Sequence, residues 1–105
     1  MNVNPIVITN VSYIISMKTY LWNHEKNEWL KIHRGVSFEE LTESRLLGIE
    51  RHGARAHQKL MIFELRQYAW VVPYVEDESH YFLKTAFPSR KHTRRYLGGS
   101  WHEKD

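Results

Sequence analysis

The chain has 105 residues, 42% of them hydrophobic, and its four Trp, six Tyr and four Phe suffice for one domain with one aromatic-rich core. It has no cysteine, which excludes a disulfide scaffold, a thiolate zinc site and a thiol nucleophile, and suits a reducing cytoplasm. The formal net charge is only +3, but residues 1–52 balance six Lys/Arg against six Asp/Glu, so the whole excess lies in the second half.

Residues 1–16 are apolar without Lys or Arg and are interrupted by Asn4, Thr9, Asn10 and Ser12. They read as an N-terminal extension or an added strand rather than a signal peptide, with Met17 as an alternative start. No run reaches the roughly 18–20 apolar residues of a membrane span, so no membrane partner is expected. One domain over residues 17–97 follows, with a frayed tail over 98–105.

Thr19 to Trp22 reads as a short strand, and Asn23 as the N-cap of a helix from His24 to about His33. The spacing directs Trp29 and Ile32 to the core, and Arg34-Gly35 ends the helix. Ser37-Phe38-Glu39-Glu40 is a capping box, with Val36 and Leu41 as its hydrophobic staple. The spacing carries this second helix to about Leu47, with Gly48 as its stop. Residues 49–58 are polar and aperiodic and read as a loop.

Lys59 to Leu65 and Tyr68 to Val75 read as a hairpin turning at Arg66-Gln67, the second strand buried on both faces. Pro73 cannot donate to a ladder, so it belongs beside a bulge or an unpaired edge. His80 to Phe87 is the last predicted strand. Pro88 stops it, and Ser89 caps a helix to about Leu97, closed by Gly98-Gly99. The fold class is therefore α+β, an antiparallel sheet in the order β-α-α-β-β-β-α.

The chemistry concentrates at the end of this order. Between residues 80 and 97 lie Lys84, Arg90, Lys91, Arg94 and Arg95, with no acid. Adjacent like charges on a helix repel, and a polyanion would offset that cost. Arg90 and Arg94 share one helical face and suit neutralisation of a phosphorane. Lys84, Ser89, Lys91, Arg95 and Arg55 are the further phosphate-binding candidates, and Tyr96 is the candidate for base stacking. Cleavage of RNA also needs proton transfer, for which His52 and His57 in the polar loop and His92 in the basic helix are the candidates. RNA supplies its own nucleophile, so the reaction needs no cofactor. No His/carboxylate spacing makes a metal site.

Three blocks, in order, resemble the BrnT-like toxins of toxin–antitoxin pairs. They are Trp22-Asn23-His24-Glu25-Lys26-Asn27, Gly35-Val36-Ser37-Phe38-Glu39-Glu40, and Ser89-Arg90-Lys91-His92-Thr93-Arg94-Arg95-Tyr96. The resemblance covers residues 17–97. It implies a fold akin to the RelE superfamily and metal-independent RNA cleavage that arrests translation in the cytoplasm. It also implies a small ribbon-helix-helix-type antitoxin, through which alone the pair would reach operator DNA. By the same resemblance, functional positions of the closing segment fall on Arg90, Lys91 and Arg94. The stretch Glu50 to Gln58 departs from that family's acidic-His pattern. The alternative reading is a non-catalytic nucleic-acid-binding or co-repressor module that acts with a DNA-binding partner.

Overall fold

The structure is a computed structural model that describes residues 18–98; the predicted extension 1–16 and the tail beyond Gly98 lie outside the described residues. β1 (Thr19–Trp22) leads into α1 (His24–Arg34), whose N-cap Asn23 accepts the Lys26 amide at 2.8 Å. Gly35, at φ 69°, ends the helix in the left-handed region that glycine enters without a Cβ penalty.

The buried positions of α1 are Asn27 and Leu30, not Trp29 and Ile32, which are 37% and 77% exposed. A polar residue takes a core position here because its amide is fully used. Asn27 Oδ1 accepts the Phe38 amide and Nδ2 donates to Glu39, both at 2.8 Å, tying α1 to the start of α2 (Phe38–Thr42).

Both halves of the capping box at Ser37 form, but α2 stops at Thr42 instead of reaching Leu47. The chain then enters β2 (Arg45–Arg51), an edge strand antiparallel to β3 (Lys59–Leu65), so the predicted loop shrinks to residues 52–58. Pairing with β3 draws Leu46 and Leu47 into the sheet rather than into a longer helix. Gly48 is not a helix stop. It follows a register shift in β2, and a Cβ there would lie 2.6 Å from the Tyr96 hydroxyl oxygen, so only glycine lets the last helix approach this strand.

β3 and β4 (Tyr68–Glu76) form the predicted hairpin. Arg66 and Gln67 both take positive φ, 55° and 65°, the twist of a two-residue turn, without the usual glycine. β5 (His80–Leu83) ends four residues earlier than predicted, and a separate two-residue strand, β6 (Phe87–Pro88), pairs with another part of β4. Pro73 explains the gap. Its carbonyl accepts the Lys84 amide, so its donorless nitrogen also faces this side, where residues 84–86 leave the ladder. β6 leads into α3 (Arg90–Leu97), capped by Ser89 as expected.

The architecture is α+β: one sheet in the order β1-β5-β4-β3-β2, with β6 beside β4. Every pairing is antiparallel except β1 with β5. One face packs on α1 and α2 through Leu30, Phe38, Leu41, Phe63, Val72 and Tyr74. Each such fully buried side chain contributes about 1.5–3 kcal/mol. The other face is smaller: Ile62, Ala69 and Val71 pack with Leu47, Leu60 and Tyr96 beneath α3. No helix among the described residues is long and apolar enough to cross a membrane.

Candidate nucleic-acid interface

Two anchors fix α3 on the smaller face. The Ser89 amide donates to the Ala69 carbonyl, and the Ala69 amide donates to Oγ1 of buried Thr93 at 2.8 Å. On this edge the start of β4 therefore passes its hydrogen bonds to the cap and first turn of α3 rather than to a strand. The second anchor is Glu50 of β2. Its Oε1 lies 3.2 Å from His92 Nε2, and its Oε2 accepts from Arg95 Nη1 at 2.6 Å and from the Tyr96 hydroxyl at 2.7 Å. Burial acts to raise the Glu50 pKa, but the hydrogen bonds from Tyr96, Arg95 and His92 outweigh it and hold the carboxyl below its ordinary value. The same contact, aided by burial, raises the Tyr96 pKa.

The segment that is acid-free in sequence therefore has a carboxylate against it in three dimensions. Arg95 is paired with Glu50 rather than open to a phosphate. Tyr96 packs over Gly48 and the Ile62 cluster with its hydroxyl on Glu50, which leaves its ring serving the core rather than a base. Ser89 Oγ accepts the His92 amide as a cap and contacts His92 Nδ1 at 2.7 Å. Lys91, Arg90 and Arg94 are exposed. With Thr93 buried and His92 and Arg95 turned to Glu50, helical phase puts Arg90 and Arg94 on the opposite flank. Arg90 and Arg94 thus share one flank of α3, and Arg95 lies on the other.

A different set of candidates comes together beside the helix. Loop 52–58 is pinned by hydrogen bonds from the Gln58 amide to the Arg55 carbonyl and from the His52 amide to the Gln58 carbonyl. With the break between β5 and β6 it encloses an open cleft of about 430 Å³. His52, Arg55, Lys84, Pro73, Thr85 and Phe87 are among the lining residues, and no described acidic side chain lines it. Lys84 Nζ lies 5.0 Å from the centre of the Phe82 ring. Phe87, also on the lining, is 38% exposed and presents an aromatic surface there.

His52, a candidate for proton transfer, has one ring nitrogen engaged by its own loop. Its Nδ1 accepts the amides of Ala54 and Arg55 at 3.1 and 3.2 Å. In the neutral ring the hydrogen is therefore on Nε2, which is a donor. His57 is exposed on the same loop and does not line the cleft. No group of three or more His, Asp or Glu side chains among the described residues is placed to hold a metal ion.

The residues that reading by segment missed are Glu50 and Phe87. Glu50 is the sole acid between Glu43 and Glu64, a lone carboxylate amid cations, which is a signal for an ion-pair anchor. Phe87, before the Pro-Ser break, gave no signal beyond an apolar residue at a strand end. Compared with protein-family models, with curated proteins and with solved structures, the chain matches none of them.

Proposed function

We propose that this chain binds single-stranded RNA in the cleft between loop 52–58 and the β5–β6 break, and cleaves it without metal as the toxin of a toxin–antitoxin pair. The observation that carries the reading is the meeting of His52, Arg55, Lys84 and Phe87 along one open cleft that no described acidic side chain lines. Two cations and a donor answer the charge of a backbone phosphate, and an exposed ring answers an unstacked base at about 1–3 kcal/mol. In cleavage the RNA 2′-OH attacks the adjacent phosphorus and the 5′-oxygen leaves. Arg55 and Lys84 neutralise the phosphorane and His52 Nε2–H donates a hydrogen bond to a non-bridging oxygen, while water of the open cleft takes the 2′-OH proton and protonates the departing 5′-oxygen. Lys91, Arg90 and Arg94 extend the basic surface for the flanking backbone. The partner in this reading is a small ribbon-helix-helix antitoxin, and operator DNA is reached only through it.

A second reading, binding without cleavage in a co-repressor, is favoured by two features: His52 Nδ1 is already occupied, and His57 lies outside the cleft lining. End-labelled single-stranded RNA incubated with the protein, with and without ribosomes, separates the two. The toxin reading expects products ending in 2′,3′-cyclic phosphate and growth arrest on expression of the chain alone. Both fall about 10–100-fold in Arg55→Ala and Lys84→Ala, the scale of a lost charged hydrogen bond. Salt-sensitive binding without products selects the second reading. No binding at all rejects both.

A further inference from the structure

Ser89, His92 and Glu50 form a continuous hydrogen-bonded chain that the RNA reading does not use. Glu50 Oε2 is held by Arg95 and Tyr96, which fixes the carboxylate and leaves Oε1 for His92 Nε2. An ionised carboxylate only accepts, so Nε2 bears the hydrogen and Nδ1 of the neutral ring is an acceptor. Nδ1 lies 2.7 Å from Ser89 Oγ, which itself accepts the His92 amide at 3.1 Å. The Ser89 hydroxyl hydrogen is therefore directed at Nδ1. Capping α3 requires only that Oγ accept the His92 amide. A ring poised to take the serine proton, oriented by a carboxylate 42 residues away in sequence, is a further arrangement. Nucleophile, base and orienting acid stand in the order that activates a serine.

We propose that Ser89 is an activated nucleophile that accepts acyl groups from carboxylic esters. It is half-buried, and it directly follows β6, whose Phe87 is 38% exposed and offers a nearby apolar surface for an ester's organic group. Ser89 Oγ attacks the ester carbonyl carbon, forming the Oγ–C bond, while its proton passes to His92 Nδ1. The bond to the alcohol oxygen breaks, and His92 returns that proton to the leaving alkoxide. Water then hydrolyses the acyl-serine by the same transfers. His92 is the catalytic base, and Glu50 is a positioning residue that sets its tautomer. The inference stands apart from the RNA reading.

The test uses p-nitrophenyl acetate as the probe, with p-nitrophenol release followed optically and the acetylated residue mapped by mass spectrometry. Ser89 is expected to gain one acetyl group at least about 100-fold faster than Ser37, Ser44 and Ser79 of the same chain, the low end of general-base catalysis. The adduct vanishes in Ser89→Ala, and its rate falls by a similar factor in His92→Gln. Acetylation of Ser89 no faster than of those internal references overturns the proposal, as does a Ser89 rate unchanged in a folded His92→Gln variant. Should His92→Gln fail to fold, the comparison among serines of the parent chain decides alone.

Discussion

Glu50 Oε2 lies 2.6 Å from Arg95 Nη1, joining the edge strand β2 to the last turn of α3 across 45 residues of sequence. The basic helix is thus attached to the sheet through one of its own cations. That contact separates Arg95 and His92 from Arg90 and Arg94 on the far flank, and it leaves the cleft beside loop 52–58 as the place where cations meet. Glu50→Ala removes the acceptor of three donors at once. It is expected to destabilise the protein by about 1–3 kcal/mol while releasing Arg95 to solvent. Urea unfolding reads the first effect, and tighter non-specific RNA binding at low salt reads the second.

The pH dependence follows from the same carboxylates. Glu50 is lowered despite burial; Glu39 is lowered by the Asn27 amide, Glu76 by Lys18, and Asp77 by the amides of Ser79 and His80. Each therefore takes up its proton at lower pH when folded than when unfolded. Their contribution is complete above the ordinary values, 4.5 for Glu and 3.8 for Asp, and is lost as pH falls through the lower folded values. The urea midpoint should hold from neutrality to about pH 5 and then fall steadily toward pH 3. A midpoint that stays flat or rises over that acid range would contradict this.

Gly48→Ala tests the approach of α3 to β2. The new methyl would lie 2.6 Å from the Tyr96 hydroxyl oxygen and 3.0 Å from two ring carbons, so the ring must move and its bond to Glu50 must lengthen. A loss of about 1–3 kcal/mol is expected, as for overpacking elsewhere. Faster amide exchange confined to α3 would locate the effect. A fully neutral substitution would mean that the ring is not held against this strand.

Asn27→Ala tests the joint between α1 and α2. It strands the buried Phe38 amide and frees Glu39, for an expected cost of about 1–3 kcal/mol. Glu39→Gln should cost less, because the Phe38 amide keeps its acceptor.

The local signals in the chain were legible where the structure depends on neighbours in sequence. The Asn23 and Ser37 caps, the Gly35 stop, the Arg66-Gln67 hairpin and the Ser89-capped helix all fall where their side chains place them. Arg45–Arg51 was not legible as a strand. It lies at a sheet edge, its burial does not alternate cleanly, and Gly48 serves an approach by Tyr96 from 48 residues away. Trp29 was misplaced because a hydrogen-bonded Asn27 occupies the core position that an apolar residue was expected to hold. The charge run correctly marked a basic segment, but sequence order says nothing of which way each cation turns. That depended on Glu50, and the cleft depended on three segments, around His52, Pro73 and Lys84, that only the sheet brings together.

The most direct measurement is the affinity of a fluorescent single-stranded RNA for Arg55→Ala, Lys84→Ala and Arg94→Ala, each over a range of salt. Each cleft variant should weaken binding about 10-fold and reduce the slope of log affinity against log salt by about 0.7, while Arg94→Ala, at a flanking contact, weakens it by a smaller factor. Cleft variants that bind like the parent, with Arg94→Ala carrying the loss, would move the interface to the far flank of α3 and contradict the account.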